Sequence, residues 1–120
     1  MIRSVVFLCL ALLAGLPVWA EKVVTAPGAV LRGLDKLDGR LTDIDLSSGE
    51  SKPFGRLMIT LGECRYPKGN PSGNAYAYLT IREQDKDVPV FAGWMIASAP
   101  ALDAMDHPRY DVWVLRCKTE

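Results

Sequence analysis

Ser98, His107 and Asp111 supply the three residue types of a hydrolase triad within one short stretch near the C-terminus. Such a set would transfer acyl groups: the imidazole takes the hydroxyl proton while the carboxylate orients the ring. The surrounding residues point to plainer duties. No G-x-S-x-G elbow encloses Ser98, and a serine ahead of Ala99-Pro100 is suited to capping a helix. His107 stands in a DHPRYD corner, where a hydrogen-bonding role is expected. These residues are therefore a candidate polar corner, and no catalytic residue is assigned.

Metal chemistry is poorly provided for. LTDIDLSSGE sets Asp43, Asp45 and Ser47 at alternate positions, as in a calcium loop. The turn glycine arrives one position late, however, and the closing bidentate acid is missing. Solvent-facing aspartates on a strand explain the pattern more simply. One histidine with Cys64 and Cys117, far apart in the chain, does not make a zinc site. No metal or cofactor is expected.

The aromatic residues offer a binding surface instead. Tyr76 and Tyr78 project from the face of their segment opposite Leu79 and Ile81. With Trp94 and Trp113 they could form an aromatic platform for a partner protein or a glycan; filling a second packed layer is the competing role. The loop PKGNPSGN is rich in turn formers, suited either to recognition or to plain solvated connection.

These residues must be positioned by strands, because the dominant periodicity is two. Thr42, Ile44 and Leu46 alternate with Asp43 and Asp45; Leu57, Ile59 and Leu61 with Met58 and Thr60; Ala75, Ala77, Leu79 and Ile81 with the tyrosines. Tyr110, Val112 and Val114 lie opposite Asp111, Trp113, Leu115 and Cys117. VPVFAGWMIA is apolar throughout, which predicts a strand covered on both faces or bulged near Gly93. A further strand is expected over Val30–Leu34. Turn residues separate the runs at Asp38-Gly39, Ser47-Ser48-Gly49 and Asp85-Lys86-Asp87. The expectation is an all-β fold, a small antiparallel β-sandwich or barrel-like domain. One short helix is predicted, capped by Ser98, with Pro100 in its first turn and Leu102 and Met105 inward. On this reading Trp94 enters the core and Tyr110–Cys117 returns as a central strand.

The first twenty residues read as an export leader. Arg3 precedes an apolar run from Val5 to Leu16, and Val18-Trp19-Ala20 matches the small-residue pattern before a cleavage point. The run is shorter than the roughly 20 residues of a membrane span. Cleavage after Ala20 is expected, so that no stable membrane insertion remains and Cys9 departs. Residues 21–28 read as a flexible lead-in and 29–120 as a single β-rich domain. The whole chain has 14 basic and 14 acidic residues; with no basic block, nucleic acid is not an expected partner. Cys64 and Cys117 remain as an even pair in an exported small domain, which reads as a disulfide. Closing such a loop contributes on the order of 4 kcal/mol in the chain-entropy picture.

Together GRLMITLGECRYP, NAYAYLTI and FAGWMIASAPALDAMDHPRYDVWVLRC, preceded by LDKLDGRLTDIDLSSGE, resemble domain of unknown function family 2155, small exported proteins of alphaproteobacteria. The resemblance covers essentially all of the chain after the leader. It implies a Gram-negative envelope location, hence the periplasm, and the Cys64/Cys117 pattern; it implies no activity. The connection after Cys64 is more glycine-rich than the family's, so no role is carried over to it. The function expected is a non-enzymatic periplasmic accessory domain binding another envelope protein. Peptidoglycan or another glycan is the alternative ligand, and a hydrolase using Ser98 and His107 the second alternative.

Overall fold

The structure, a computed structural model, describes residues 22–119. Eight strands follow one another: β1 (Val23–Ala26), β2 (Gly28–Asp35), β3 (Arg40–Ser47), β4 (Ser51–Phe54), β5 (Leu57–Pro67), β6 (Tyr76–Glu83), β7 (Pro89–Ile96) and β8 (Tyr110–Lys118). They form two antiparallel sheets. In the larger, β5, β6 and β7 lie side by side, and β1 and β4 pair with different lengths of β5. The smaller has the order β3-β2-β8. The all-β class and the disulfide are as the sequence predicts.

The chain passes from one sheet to the other at Pro27, between β1 and β2. Gly28 permits the crossing, since a Cβ there would lie 2.4 Å from the Leu46 carbonyl oxygen. Between the sheets, Leu31, Leu46, Leu57, Ile59, Leu61, Leu79, Ile81, Val112 and Val114 are fully buried. Each such side chain contributes roughly 1.5–3 kcal/mol relative to exposure. That inward set is the one that period-two alternation picks out.

Two bulges place the sulfurs. Leu61 and Cys64 are three residues apart, as are Val114 and Cys117. In an unbroken strand an odd separation would put the members of each pair on opposite faces. The register of β5 against β6 slips between Leu61 and Glu63, around Gly62, and that of β8 against β2 slips between Val114 and Arg116, around Leu115. One extra residue in each strand rotates the cysteine to the inner face. Cys64 and Cys117 therefore meet in the core and join the two sheets, with Cα atoms 5.7 Å apart.

Five sequence expectations are corrected. No helix occurs among the described residues. Instead, the segment from Ala97 to Arg109 is a strap running from the end of β7 to the start of β8. Ile96 pairs with Tyr76 at one end of β6, and His107 bonds Glu83 at the other. Eleven residues must therefore cover about 23 Å at 3.3 Å per strand residue. A helix, rising only 1.5 Å per residue, is too short for that span. The strap makes single turns, Ala99 N–H to Ile96 O and Leu102 N–H to Ala99 O; Leu102 is 73% exposed while Met105 is 7% exposed. Ser98 is thus no helix cap.

The other corrections concern strands. Val23–Ala26, read as part of a flexible lead-in, is β1, held to Cys64–Pro67 of β5. β8 is an edge strand of its sheet, and β2 is the central one. Trp94 is half-buried on the outer face of the larger sheet, opposite Tyr78, because Phe91 and Met95 take the inward positions of β7. The β7 irregularity falls at Val90, opposite Ile81–Arg82, and not at Gly93. The leader, residues 1–20, lies outside the described residues.

Candidate functional site: the outer aromatic face and the polar corner

Three of the four candidate aromatics converge. Tyr78 and Trp94 are cross-strand partners on β6 and β7, and their rings meet edge to face with centroids 5.4 Å apart. Tyr76, two residues before Tyr78, shares that outer face. Arg65, its partner on β5, lays its guanidinium 4.8 Å from the Trp94 ring centroid and also pairs with Glu63. A groove of about 300 Å³ runs across the strands, lined by Val23, Arg65, Tyr76, Trp94 and Ile96. Tyr78 stands beside it, 37% exposed. The lining is apolar with a cation at one wall, suited to an apolar side chain and an adjoining acceptor.

The connecting loop steadies this face. Asn74 Oδ1 accepts the N–H groups of Ala75 and of Ser98, tying the loop after β5 to the top of the strap. Asn74 Nδ2 lies 3.4 Å from the Tyr76 hydroxyl. Ser98 takes part through its backbone.

Trp113 sits elsewhere. It is half-buried on the outer face of β8 in the other sheet, where it and Asp111 form a slot with Pro100, Ala101 and Ala104 of the strap. The fourth aromatic therefore does not extend the platform.

At the opposite end, His107 is the buried centre of the polar corner, 9% exposed. Its Nδ1 accepts the backbone N–H groups of Arg109 at 3.0 Å and Tyr110 at 3.1 Å. A nitrogen accepting two donors carries no proton, so Nε2 holds it and donates to Glu83 Oε1 at 3.0 Å. Both ring nitrogens are committed, and neither faces Ser98 or Asp111. The structure does not bring the triad residue types together.

Charged neighbours brace the corner. Glu83 also pairs with Lys86, and the His107 hydrogen bond followed by this pairing lowers its pKa below the ordinary glutamate value. Arg109 forks onto Asp35, lowering that carboxyl's pKa and raising its own. Lys36 Nζ donates to the His107 carbonyl. Tyr110, stacked near His107 and Phe54, accepts the Arg56 N–H at its hydroxyl. Gly55 has φ +56°, and a Cβ there would fall 2.4 Å from that hydroxyl. This is how a buried histidine is satisfied by the chain it turns.

The aspartates of LTDIDLSSGE are likewise engaged. Asp43 takes a forked bond from Arg32, which lowers its pKa, and Asp45 pairs with Lys118. Among the described residues no cluster of His, Cys, Asp or Glu could hold a metal ion.

Sequence reasoning missed Arg65, Val23 and Ile96 at the groove and Glu83 at the corner. Arg65, Val23 and Glu83 reach their sites through strand register, which no local spacing encodes; Ile96, two residues after Trp94 on β7, was within reach of period-two alternation.

Residues 29–117 match the family described as uncharacterized protein conserved in bacteria (DUF2155). The chain belongs to this family. An uncharacterized protein of Rickettsia prowazekii (strain Madrid E) is 32% identical over 87 residues, covering 70% of this chain and 56% of that protein. The chain thus spans little more than half the length of the curated relative it matches. No solved structure matches. The matched range runs from β2 to Cys117 and so includes both cysteines, the groove residues other than Val23, and the polar corner.

Proposed function

We propose that this chain is a non-catalytic binding domain of the bacterial cell envelope, exported to the periplasm, whose partner is another envelope protein. The reading rests on one observation above all: Tyr76, Tyr78 and Trp94 gather with Arg65 around a groove on an open sheet face. Tyrosine, tryptophan and arginine are the side chains that carry most binding energy at protein interfaces. The leader pattern and the core disulfide support an oxidising destination. The commitments of both His107 nitrogens favour a structural duty for that residue.

The test is recovery of partners from periplasmic extract by the mature chain, compared with Tyr76→Ala/Tyr78→Ala and Trp94→Ala. These side chains lie outside the core, so the variants are expected to fold and to lose the recovered protein. Equal recovery by all forms would remove this surface from consideration. Sedimentation with purified cell-wall sacculi separates the glycan alternative, since a protein binder stays in the supernatant.

A further inference from the structure

A second recessed site lies on the other sheet, separate from the aromatic groove and independent of the reading above. The strap passes beside β8, and between them is a slot of about 350 Å³ lined by Pro100, Ala101, Ala104, Asp111 and Trp113. Asp111 and Trp113 are two residues apart on β8 and present their side chains on the same outer face. The walls contributed by the strap are small and apolar.

The charges around the slot are unbalanced. Asp111 is half-buried, and it makes no hydrogen bond or ion pair with any described residue. Nearby cations are engaged elsewhere: Arg32, register partner of Trp113, is forked onto Asp43, Arg109 onto Asp35, and Lys36 Nζ donates to the His107 carbonyl. The strap from Ala97 to Asp106 carries Asp103 and Asp106 and no lysine or arginine. A partly desolvated carboxylate without a partner is costly. Beside an indole face, it is also one half of an organic-cation site, since the ring quadrupole and the carboxylate attract the same charge.

We infer that the slot between the strap and Trp113 binds an organic cation, an alkylammonium or guanidinium head carried on a short apolar stem. The stem lies against Pro100, Ala101 and Ala104, and the head meets Asp111 with the Trp113 ring beside it. A small free amine and the side chain of a lysine or arginine share this chemistry.

Titration of the folded, disulfide-bonded chain with n-butylammonium, followed by the Trp113 indole N–H and the amide signals of Ala101, Ala104 and Asp111, tests it. Saturable shifts confined to these groups are expected, with n-butanol binding at least tenfold more weakly and added salt weakening the ammonium alone. Asp111→Asn, checked for an unchanged fold by circular dichroism, is expected to remove the preference for ammonium over alcohol. A blocked lysine distinguishes the sources: binding as tight as butylammonium identifies a side chain as an acceptable occupant, and failure restricts the site to free amines. Equal binding of butanol and butylammonium, or shifts that never saturate, would overturn the inference. The alcohol comparison on the unaltered chain decides the matter even if Asp111→Asn does not fold.

Discussion

His107 closes the chain on itself, accepting two backbone donors at one ring nitrogen and donating from the other. His107→Ala strands the N–H groups of Arg109 and Tyr110 in a part-buried corner, at about 1–3 kcal/mol each. We expect a loss of about 2–4 kcal/mol in urea unfolding, with partner recovery unchanged. Asparagine can accept N–H groups two and three residues ahead with its side-chain oxygen, so His107→Asn is expected to regain part of the loss. A variant at His107 that keeps full stability but loses recovery would reverse the assignment. Glu83, Asp35 and Asp43 have pKa values lowered by their partners from 4.5, 3.8 and 3.8. A lowered carboxylate stabilises the fold fully above its unfolded value and loses that contribution as pH falls through the folded value. Urea midpoints are therefore expected to hold down to about pH 5 and to decline below it. Glu83→Gln should give a lower midpoint at pH 7 and a shallower decline in acid.

At the scale of the element, the two bulges decide which residues face each other. Deleting Gly62 restores unbroken alternation from Leu57 and turns Cys64 toward solvent. Tested on residues 21–120, the expected product has two thiols that react with a thiol reagent without denaturant, whereas the unaltered residues 21–120 have none. Deletion of Leu115 should act alike from the other sheet. A Gly62 deletion that still forms the bridge would show that register slips elsewhere can compensate. Much of this was legible beforehand: alternation located β3, β5, β6 and β8 and chose the buried face, an apolar run marked β7, a strand was expected over Val30–Leu34 within β2, and an even pair of cysteines indicated the bridge. The three-residue spacings LGEC and VLRC were equally visible, and they conflict with plain alternation. What could not be read was set by distance. The strap has local helix signals at Ser98 and Pro100, but the span it must cover overrides them. β1 carries a weak pattern because β5 supplies its register. Trp94 looked like core in an apolar run until pairing with Tyr78 put it outside, and Arg65 reached it from a strand whose neighbours no local pattern specifies.

For the molecule as a whole, the sulfur bridge is the one side-chain cross-link between the sheets among the described residues, closing 53 residues of chain. Replacing both cysteines by alanine is expected to cost about 4 kcal/mol, measured as the difference in urea unfolding free energy from the oxidised chain. A cost near zero would mean that packing alone holds the layers. The β3-β2-β8 order reaches further still. The smaller sheet joins the second described strand to the eighth, so it cannot close before residue 118 is free to pair. Up to that moment β2 has one neighbour instead of two, and Cys64 lacks its partner Cys117. A chain emerging one residue at a time therefore leaves this sheet open until β8 has been made. Removing Tyr110–Lys118 is therefore expected to be far more harmful than removing Val23–Ala26, because it takes away one whole side of β2 and half of the disulfide.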